Sequence, residues 1–178
     1  MLNKDTLQAQ LSQLPLYACY FIKPSELEFS PGVRWVCENE CPMYGTSWAC
    51  PPGVGGVDEC EKTCKQFENC LIISTAAQVS DIANIEETLA TRIGHEENTD
   101  LVGALLKQQG QRPYILSTQA CSICESCAYP DGSPCRHTDR MHPCIESHGI
   151  NLIPVLEKLG VEITYGGNIV TWYSLLFY

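Results

Sequence analysis

The cysteines constrain this chain more than any other feature of its sequence. Twelve occur in 178 residues, and ten of them fall in the segments 37–64 and 121–144. Cys121, Cys124 and Cys127 lie three residues apart, which suits them better to converge on one metal centre than to form separate disulfide bridges. The two segments are therefore predicted to be metal-binding loops, whose thiols stay free in a reducing cytosol.

Composition and charge restrict the class of protein that carries these loops and the partners that it can bind. The chain is 44% hydrophobic, enough for a proper core, and its length suits one domain over residues 1–178. Its net charge is −10 and its basic residues are scattered, which argues against nucleic acid and anionic membranes as partners. The N-terminus lacks the apolar stretch of a signal peptide, and no run reaches the roughly 20 apolar residues of a membrane span. These features predict a cytoplasmic protein.

Apolar spacing and turn residues predict an α+β fold, with a mixed or antiparallel sheet, helices packed on it, cysteine-rich loops and a C-terminal β-hairpin. The hairpin is predicted to turn at Gly166-Gly167. Arg34 to Val36 is predicted to lead into Cys37 as an extended segment. The predicted helices are 4–14, 57–68, 145–159 and a pair within 80–109 that breaks near Gly94. The predicted strands are 16–22, 70–75, 114–118, 161–165 and 168–177.

The second cysteine set has the stronger metal-binding pattern, Cys121-x2-Cys124-x2-Cys127-x7-Cys135. Four soft thiolates select zinc or an iron–sulfur cluster. A cubane cluster presents several irons, so three closely spaced cysteines can each bind a different corner while a more distant cysteine completes the set. Zinc sites more often use paired C-x2-C motifs that are set well apart. The spacing favours a [4Fe-4S] cluster, with zinc as the alternative.

The first set is Cys37-x3-Cys41-x8-Cys50-Pro-Pro and has no obvious fourth cysteine. Cys60 is the nearest candidate ligand, and Cys64 lies one helical turn further along. If neither binds, a cluster held by three cysteines leaves one iron open to a substrate. The role of Cys64 stays undecided between ligand and small buried hydrophobe.

The remaining cysteines and the histidines carry weaker signals. Cys19 and Cys70 fit buried, inert positions. Cys144 follows Pro143 at a predicted helix start, where the pKa of a thiol is lowered, and it fits a spare ligand, a reactive thiol or an inert residue. His137 and His142 are weaker ligand candidates near the second set, and two further histidines are predicted to lie on helix surfaces. Those two are His95 and His148.

The motif C-x3-C-P-x-Y-G-x4-C-P-P, followed by C-x2-C-x2-C and PCRH, resembles the family of predicted metal-binding proteins known as domain of unknown function 2284. The likeness runs from about Trp35 to the end of the chain. It implies a cysteine-rich metal or iron–sulfur protein of bacteria and archaea with no settled activity. Thr138 stands where that family usually has proline, and Cys144 where it usually has serine. The positions that match are Cys37, Cys41, Cys50, Cys121, Cys124, Cys127 and Cys135.

Three functions are compatible with these patterns. The first is a redox protein with one or two [4Fe-4S] clusters that passes electrons to a partner protein or a small substrate. The second is an enzyme that reduces a substrate at an open iron, and the third is a zinc-stabilised module that binds protein. The helical region 80–109 has no cysteine and is therefore predicted to form a partner surface, a substrate pocket or a homodimer contact.

Overall fold

Two apolar segments, one mid-chain and one at the C-terminus, form the centre of the main sheet. In the computed structural model, which describes residues 3–161 and 167–178, β3 (Cys70–Gln78) pairs antiparallel with β6 (Ile169–Phe177) along its whole length. The outer strands are β1 (Ala18–Ile22) and β4 (Tyr114–Leu116), which give the order β1-β3-β6-β4. Every pairing in this sheet is antiparallel.

Six helices and a small second sheet complete the described structure. The two short strands β2 (Glu28–Phe29) and β5 (Ile150–Asn151) pair antiparallel. Single 3₁₀ turns occupy Pro24–Glu26 and Glu146–His148. The helices are α1 (Lys4–Leu11), α2 (Pro31–Asn39), α3 (Val57–Cys64), α4 (Ile85–Ala90), α5 (Arg92–Gln108) and α6 (Ile153–Lys158).

The sheet is covered on both faces, because successive side chains of a strand point to opposite sides. Leu71 and Ile73 of β3 pack with the leucines of α1 and the apolar face of α5. Cys70 and Ile72, on the other side, pack with residues of α3, β5 and α6. All four are fully buried. This three-layer arrangement confirms the predicted α+β class with an antiparallel sheet.

Several predicted elements are confirmed with shifted ends. The helix predicted over 4–14 ends at Leu11, and the one predicted over 57–68 ends at Cys64. The predicted pair within 80–109 breaks at Thr91, while Gly94 lies inside α5. The C-terminal strand is β6, whereas the partner strand of the predicted hairpin falls almost wholly on 162–166, outside the described residues. The assignment of residues 1–178 to one domain stays a prediction.

The extended segment predicted before Cys37 is wrong, because this stretch belongs to α2. Ser30 caps the helix by accepting a hydrogen bond from the Gly32 amide at 3.1 Å, and Pro31 occupies the first helical turn. These two start signals outweigh the β-prone Trp35-Val36 pair. Cys37 therefore lies on the same helix as Arg34, one turn away.

The helix predicted over 145–159 is also wrong, because Gly149 interrupts it. This glycine has a φ of +73°, and a Cβ atom there would lie 3.0 Å from the Ser30 carbonyl oxygen. The chain instead forms the second 3₁₀ turn, then β5, then α6. The Ser30 amide donates to the Gly149 carbonyl at 2.7 Å, so this turn packs directly against the start of α2.

Candidate metal centre

The loop that joins α2 to α3 carries Cys41 and Cys50, and Cys37 precedes it on α2. A tight turn folds the loop back on itself: Gly45 has a φ of +70°, and its amide donates to the Pro51 carbonyl at 2.8 Å. This bond brings Gly45 next to Pro51, the residue that follows Cys50.

The loop that joins β4 to the second 3₁₀ turn carries the second cysteine set. It has no helix or strand within residues 118–143, and turns hold its shape. The Gly132 amide donates to the Tyr129 carbonyl at 2.9 Å, and the Ser133 amide donates to the Ala128 carbonyl at 3.1 Å. The Arg136 guanidinium donates to the Ser126 carbonyl. Hydrogen bonds between residues that are close in sequence therefore hold this loop in its conformation.

The two loops are joined directly to each other. The Cys144 amide donates to the Ala49 carbonyl at 3.2 Å, and the Trp48 indole N–H donates to the Ser133 carbonyl at 3.0 Å. The Trp48 ring also packs edge-on against Tyr129, with 4.9 Å between ring centroids. Two cysteine sets that are distant in sequence thus lie next to each other in the fold.

Four thiols surround one cavity of about 220 Å³, which we call the first chamber. Three belong to the first set, Cys37, Cys41 and Cys50, and the fourth is Cys144. Glu146 also lines this cavity, and its carboxylate accepts a hydrogen bond from the Cys144 thiol at 2.7 Å. The structure therefore brings the first cysteine set together and adds a cysteine from the far end of the other loop.

The second set surrounds a smaller cavity of about 20 Å³, which we call the second chamber. Its cysteines are Cys121, Cys124, Cys127 and Cys135. Mostly apolar or soft side chains close it: Trp48, Ala49, Ile123, His137 and Met141. All four cysteines predicted from the C-x2-C-x2-C pattern thus share one enclosure.

Backbone amides point at sulfur atoms of the second chamber. The His137 amide donates to the Cys135 sulfur at 3.4 Å. Burial raises the pKa of Cys121, and a hydrogen bond from the Ile123 amide to its sulfur reduces that rise. Hydrogen bonds to sulfur stabilise thiolates and are a feature of iron–sulfur sites. The donor set, four soft thiols with amide support in an apolar enclosure, fits an iron–sulfur cluster.

Burial dominates the electrostatics of both chambers. The pKa of the Cys37 thiol is raised to about 11, mainly by burial, with smaller contributions from the negative charges of Cys41 and Glu146. Burial also raises the pKa of Cys50, with smaller contributions from cysteines of both sets, Cys41, Cys121 and Cys127. Cys50 therefore lies within electrostatic range of both chambers. Because metal binding needs thiolates, loading a metal here must release protons.

Cys60 lies elsewhere. It is buried on α3, where its thiol donates to the Val54 carbonyl at 3.4 Å and accepts from the Arg34 guanidinium at 3.6 Å. Cys64, one turn on, packs in the apolar core together with Cys70. The structure thus separates Cys60 from the first chamber, gives Cys64 a core position and confirms the buried position predicted for Cys70.

Sequence reasoning missed Arg34. Its side chain is buried, it donates to the Gly55 carbonyl at 2.8 Å, and its Nε has no hydrogen-bond partner. Among the described residues, no carboxylate lies within salt-bridge distance of it. Burial raises the pKa of both Cys37 and Cys60, and the positive charge of Arg34 reduces that rise. The spacing of three residues from Arg34 to Cys37 places both on one face of a helix and could have identified Arg34. The prediction of an extended segment there hid this pattern.

The sequence prediction for the Cys144 thiol is also wrong. Cys144 precedes a 3₁₀ turn instead of starting a long helix, so the expected helix-start effect is missing there. Burial raises the pKa of this thiol well above its ordinary value, and the negative charge of Glu146 raises it further. Cys144 is thus a protonated thiol in the metal-free protein, and not an activated nucleophile.

His95 and His148 are buried, contrary to the prediction that they lie on helix surfaces. His148 contacts the Tyr114 hydroxyl at 2.6 Å and the Ser147 hydroxyl at 3.1 Å. His95 contacts the hydroxyls of Thr75 and Ser174, at 2.9 and 2.8 Å. Desolvation lowers the pKa of each histidine to about 4, which keeps both rings neutral.

The thiols and the helices also bear on the sequence expectations for disulfides, metal geometry and membrane spans. All twelve cysteines are free thiols. Within residues 3–161 and 167–178, no three Cys, His, Asp or Glu side chains converge closely enough to ligate a single metal ion as they stand. No helix in the described ranges has the length and apolarity to cross a membrane.

Comparison with known proteins agrees with the cysteine pattern. Residues 20–178 match the model of a family described as predicted metal-binding protein, DUF2284. The match spans both cysteine sets and all four strands of the main sheet, apart from the first two residues of β1. The chain matches no curated protein and no solved structure. This protein belongs to the DUF2284 family of predicted metal-binding proteins.

Proposed function

We propose that this protein is an iron–sulfur redox protein. It holds a [4Fe-4S] cluster in the second chamber and a second cluster in the first chamber, and it passes electrons to a partner protein or a small substrate. The observation that carries the proposal is the second chamber, where the four cysteines of the C-x2-C-x2-C pattern share one enclosure. A reducing cytoplasm is the matching location, because it keeps these thiols free.

The residues around the second chamber have defined roles in this proposal. Cys121, Cys124, Cys127 and Cys135 hold the cluster, which supplies one-electron transfer when bound. The amides of Ile123 and His137 stabilise negative charge on sulfur. Trp48 and Met141 exclude water, which sets the potential together with those hydrogen bonds.

A neighbouring cavity favours a small molecule as the electron acceptor or donor. It measures about 480 Å³, which lies within the range of ligand pockets, and Cys135 forms part of its wall. Trp48, Tyr114 and Met141 line it as well, with His142 and Lys107 as polar groups. A molecule bound there would lie beside the second chamber, so an iron–sulfur enzyme is the second candidate function.

The first experiment measures iron, zinc and acid-labile sulfide per chain on anaerobically purified protein, together with the visible spectrum. The proposal expects about eight irons and eight sulfides, the content of two cubane clusters. Cys124→Ala should remove about half of both and bleach the spectrum correspondingly. Cys19→Ala, at a half-buried position on β1, is the control and should keep the full content.

Two outcomes would overturn the proposal. Zinc without sulfide would show a metal-stapled protein-binding module, and an unchanged cluster content in Cys124→Ala would show that the second chamber is not the cluster site. For the enzyme candidate, Thr138→Trp should fill the neighbouring cavity and abolish reduction of the substrate while cluster content stays constant. Turnover that survives this substitution would exclude the cavity as the substrate site.

A further inference from the structure

We infer that Cys144, and not Cys60, supplies the fourth thiolate of the first chamber, which is therefore a closed four-cysteine site. This inference rests on the proposed function and assigns the ligand that the first cysteine set lacks. Cys144 shares the first chamber with Cys37, Cys41 and Cys50.

Backbone contacts hold Cys144 in this position. Its amide donates to the Ala49 carbonyl at 3.2 Å, which places it beside the residue that precedes Cys50. It also forms a parallel bridge with Ser117 at the end of β4, and the Ile145 amide donates to the Ser117 carbonyl at 3.0 Å. Cys144 is thus attached both to the main sheet and to the first loop.

Helix α2 completes the same contact from the other side. The 3₁₀ turn that follows Cys144 packs on α2, where Ser30 binds Gly149 at 2.7 Å and Cys37 faces the chamber. Glu146 lines the same cavity and accepts a hydrogen bond from the Cys144 thiol at 2.7 Å. Cys37 and Cys144 therefore reach one chamber from two elements that are packed together.

Cys60 is committed to other partners. Its thiol contacts the Val54 carbonyl and the Arg34 guanidinium, and it is 2% exposed in the interior beneath α2. To reach the first chamber, the Cys60 thiol would have to leave both partners. Arg34 would then lose the one hydrogen bond to another side chain that it forms among the described residues. Cys144 already lines the first chamber, and its thiol would have to leave only Glu146, which lines the same cavity.

The chemistry of binding is a ligand exchange. The S–H bond of Cys144 is replaced by a sulfur–metal bond, one proton leaves by way of the Glu146 carboxylate to solvent, and no electrons are transferred. Glu146 is exposed, so its side chain has access to water for this step. A fourth thiolate closes the first chamber to substrate, which assigns that site to electron transfer.

The test compares Cys144→Ser with Cys60→Ser in the full chain, after anaerobic reconstitution with iron and sulfide. Cys144→Ser should lose one iron or a whole cluster from the first chamber, visible as a drop in iron content and, after mild oxidation, as the electron paramagnetic resonance signal of a three-iron cluster. Cys60→Ser should keep the wild-type content and signal. A loss in Cys60→Ser with a wild-type Cys144→Ser, or no change in either variant, would overturn the inference.

A second measurement separates this inference from the proposed function. Metal-free protein is titrated anaerobically with Co²⁺, whose sulfur-to-metal absorption grows with the number of bound thiolates. In a Cys124→Ser background, which disables the second chamber, the absorption per cobalt should fall by about one quarter in Cys144→Ser and stay constant in Cys60→Ser, since one of four thiolates is lost. Equal absorption in all three proteins would overturn the assignment of Cys144, even if no iron–sulfur cluster forms.

Discussion

The two chambers place the same ligand chemistry on very different supports. The second chamber takes all four cysteines from one loop without helix or strand, and its cavity is about 20 Å³. The first chamber takes Cys37 from α2, Cys41 and Cys50 from the following loop, and Cys144 from far along the chain, around a cavity of about 220 Å³. One site is local in sequence, whereas the other exists only after the fold has formed.

This difference predicts which site depends more on its metal. The first chamber is supported by α2, the second 3₁₀ turn and the bridge from Ser117 to Cys144, all of which are held by backbone hydrogen bonds. The second chamber has turns and two links to Trp48. Metal binding to such a loop is itself folding free energy, so the loop and its site are expected to form together.

Metal removal should have the largest effect and should separate the two chambers. Anaerobic treatment with a strong chelator should expose residues 118–143 to proteases, while residues 40–56 resist for longer and the far-UV circular dichroism of the sheet persists. The structural metal of small domains contributes about 10 kcal/mol or more to folding, which sets the scale of this loss. Limited proteolysis with mass spectrometry measures it, with loaded protein as control. Earlier cleavage within 40–56 would reverse the comparison.

Acid should weaken the support of the first chamber, because two buried histidines are linked to it, one through Ser147 and one through Ser117. His148 reaches the first chamber through Ser147, whose hydroxyl donates to the Cys144 carbonyl. His95 joins Ser174, which contacts the Ser117 hydroxyl at 2.9 Å. The pKa of both is lowered to about 4, mainly by burial, with a smaller contribution from a nearby arginine in each case.

The sign follows from the proton balance. Between pH 6.5 and 4 the unfolded chain binds protons at these histidines that the folded chain does not, so the free energy of unfolding falls as pH falls. The slope reaches about 1.4 kcal/mol per pH unit for each histidine. Urea denaturation of metal-free protein at pH 7 and pH 5 measures it. His95→Gln and His148→Gln should each remove part of the slope, and an unchanged slope in both would contradict this account.

Strong local patterns made much of the molecule predictable. The β-prone runs that became β3 and β6 specify the centre of the sheet, and the spacing of Cys121, Cys124 and Cys127 predicts the enclosure that they share. The wrong predictions arose where two local sequence signals competed. The cap at Ser30 overrode an extended segment, and the left-handed Gly149 broke a helix that apolar spacing alone predicted.

The first chamber was harder to predict, because its fourth thiol comes from a long-range contact. Reasoning from sequence favoured Cys60, the next cysteine along the chain. The structure instead places Cys144 in the chamber through the hydrogen bond to Ala49 and the bridge to Ser117. Neither contact has a signal in local spacing, and the chain distance between these residues gives no reason to pair them.

Arginine substitutions should affect the two regions unequally. Arg34→Gln beneath the first chamber removes a buried guanidinium and leaves the Gly55 carbonyl with a weaker partner, so the free energy of unfolding should fall by about 1–3 kcal/mol. Arg92→Gln is the matched control near the second chamber, where the salt bridge to Glu96 measures 3.2 Å and is partly exposed. Its loss should be about 1 kcal/mol or less. Equal losses in chemical denaturation would contradict the deeper burial of Arg34.

Trp48→Phe should have the smallest effect, and it addresses the contact between the loops. Phenylalanine keeps most of the apolar surface against Tyr129 but removes the indole N–H that donates to the Ser133 carbonyl. The loss of one such bond should cost about 0.5–1.5 kcal/mol. Ser133 lies in the loop that carries the second cysteine set. A chelator should therefore remove metal faster from the second chamber, while the rate of metal removal from the first chamber stays unchanged. Faster release from both chambers would show that Trp48 couples the two sites, which would make the local chamber depend on the fold as the other one does.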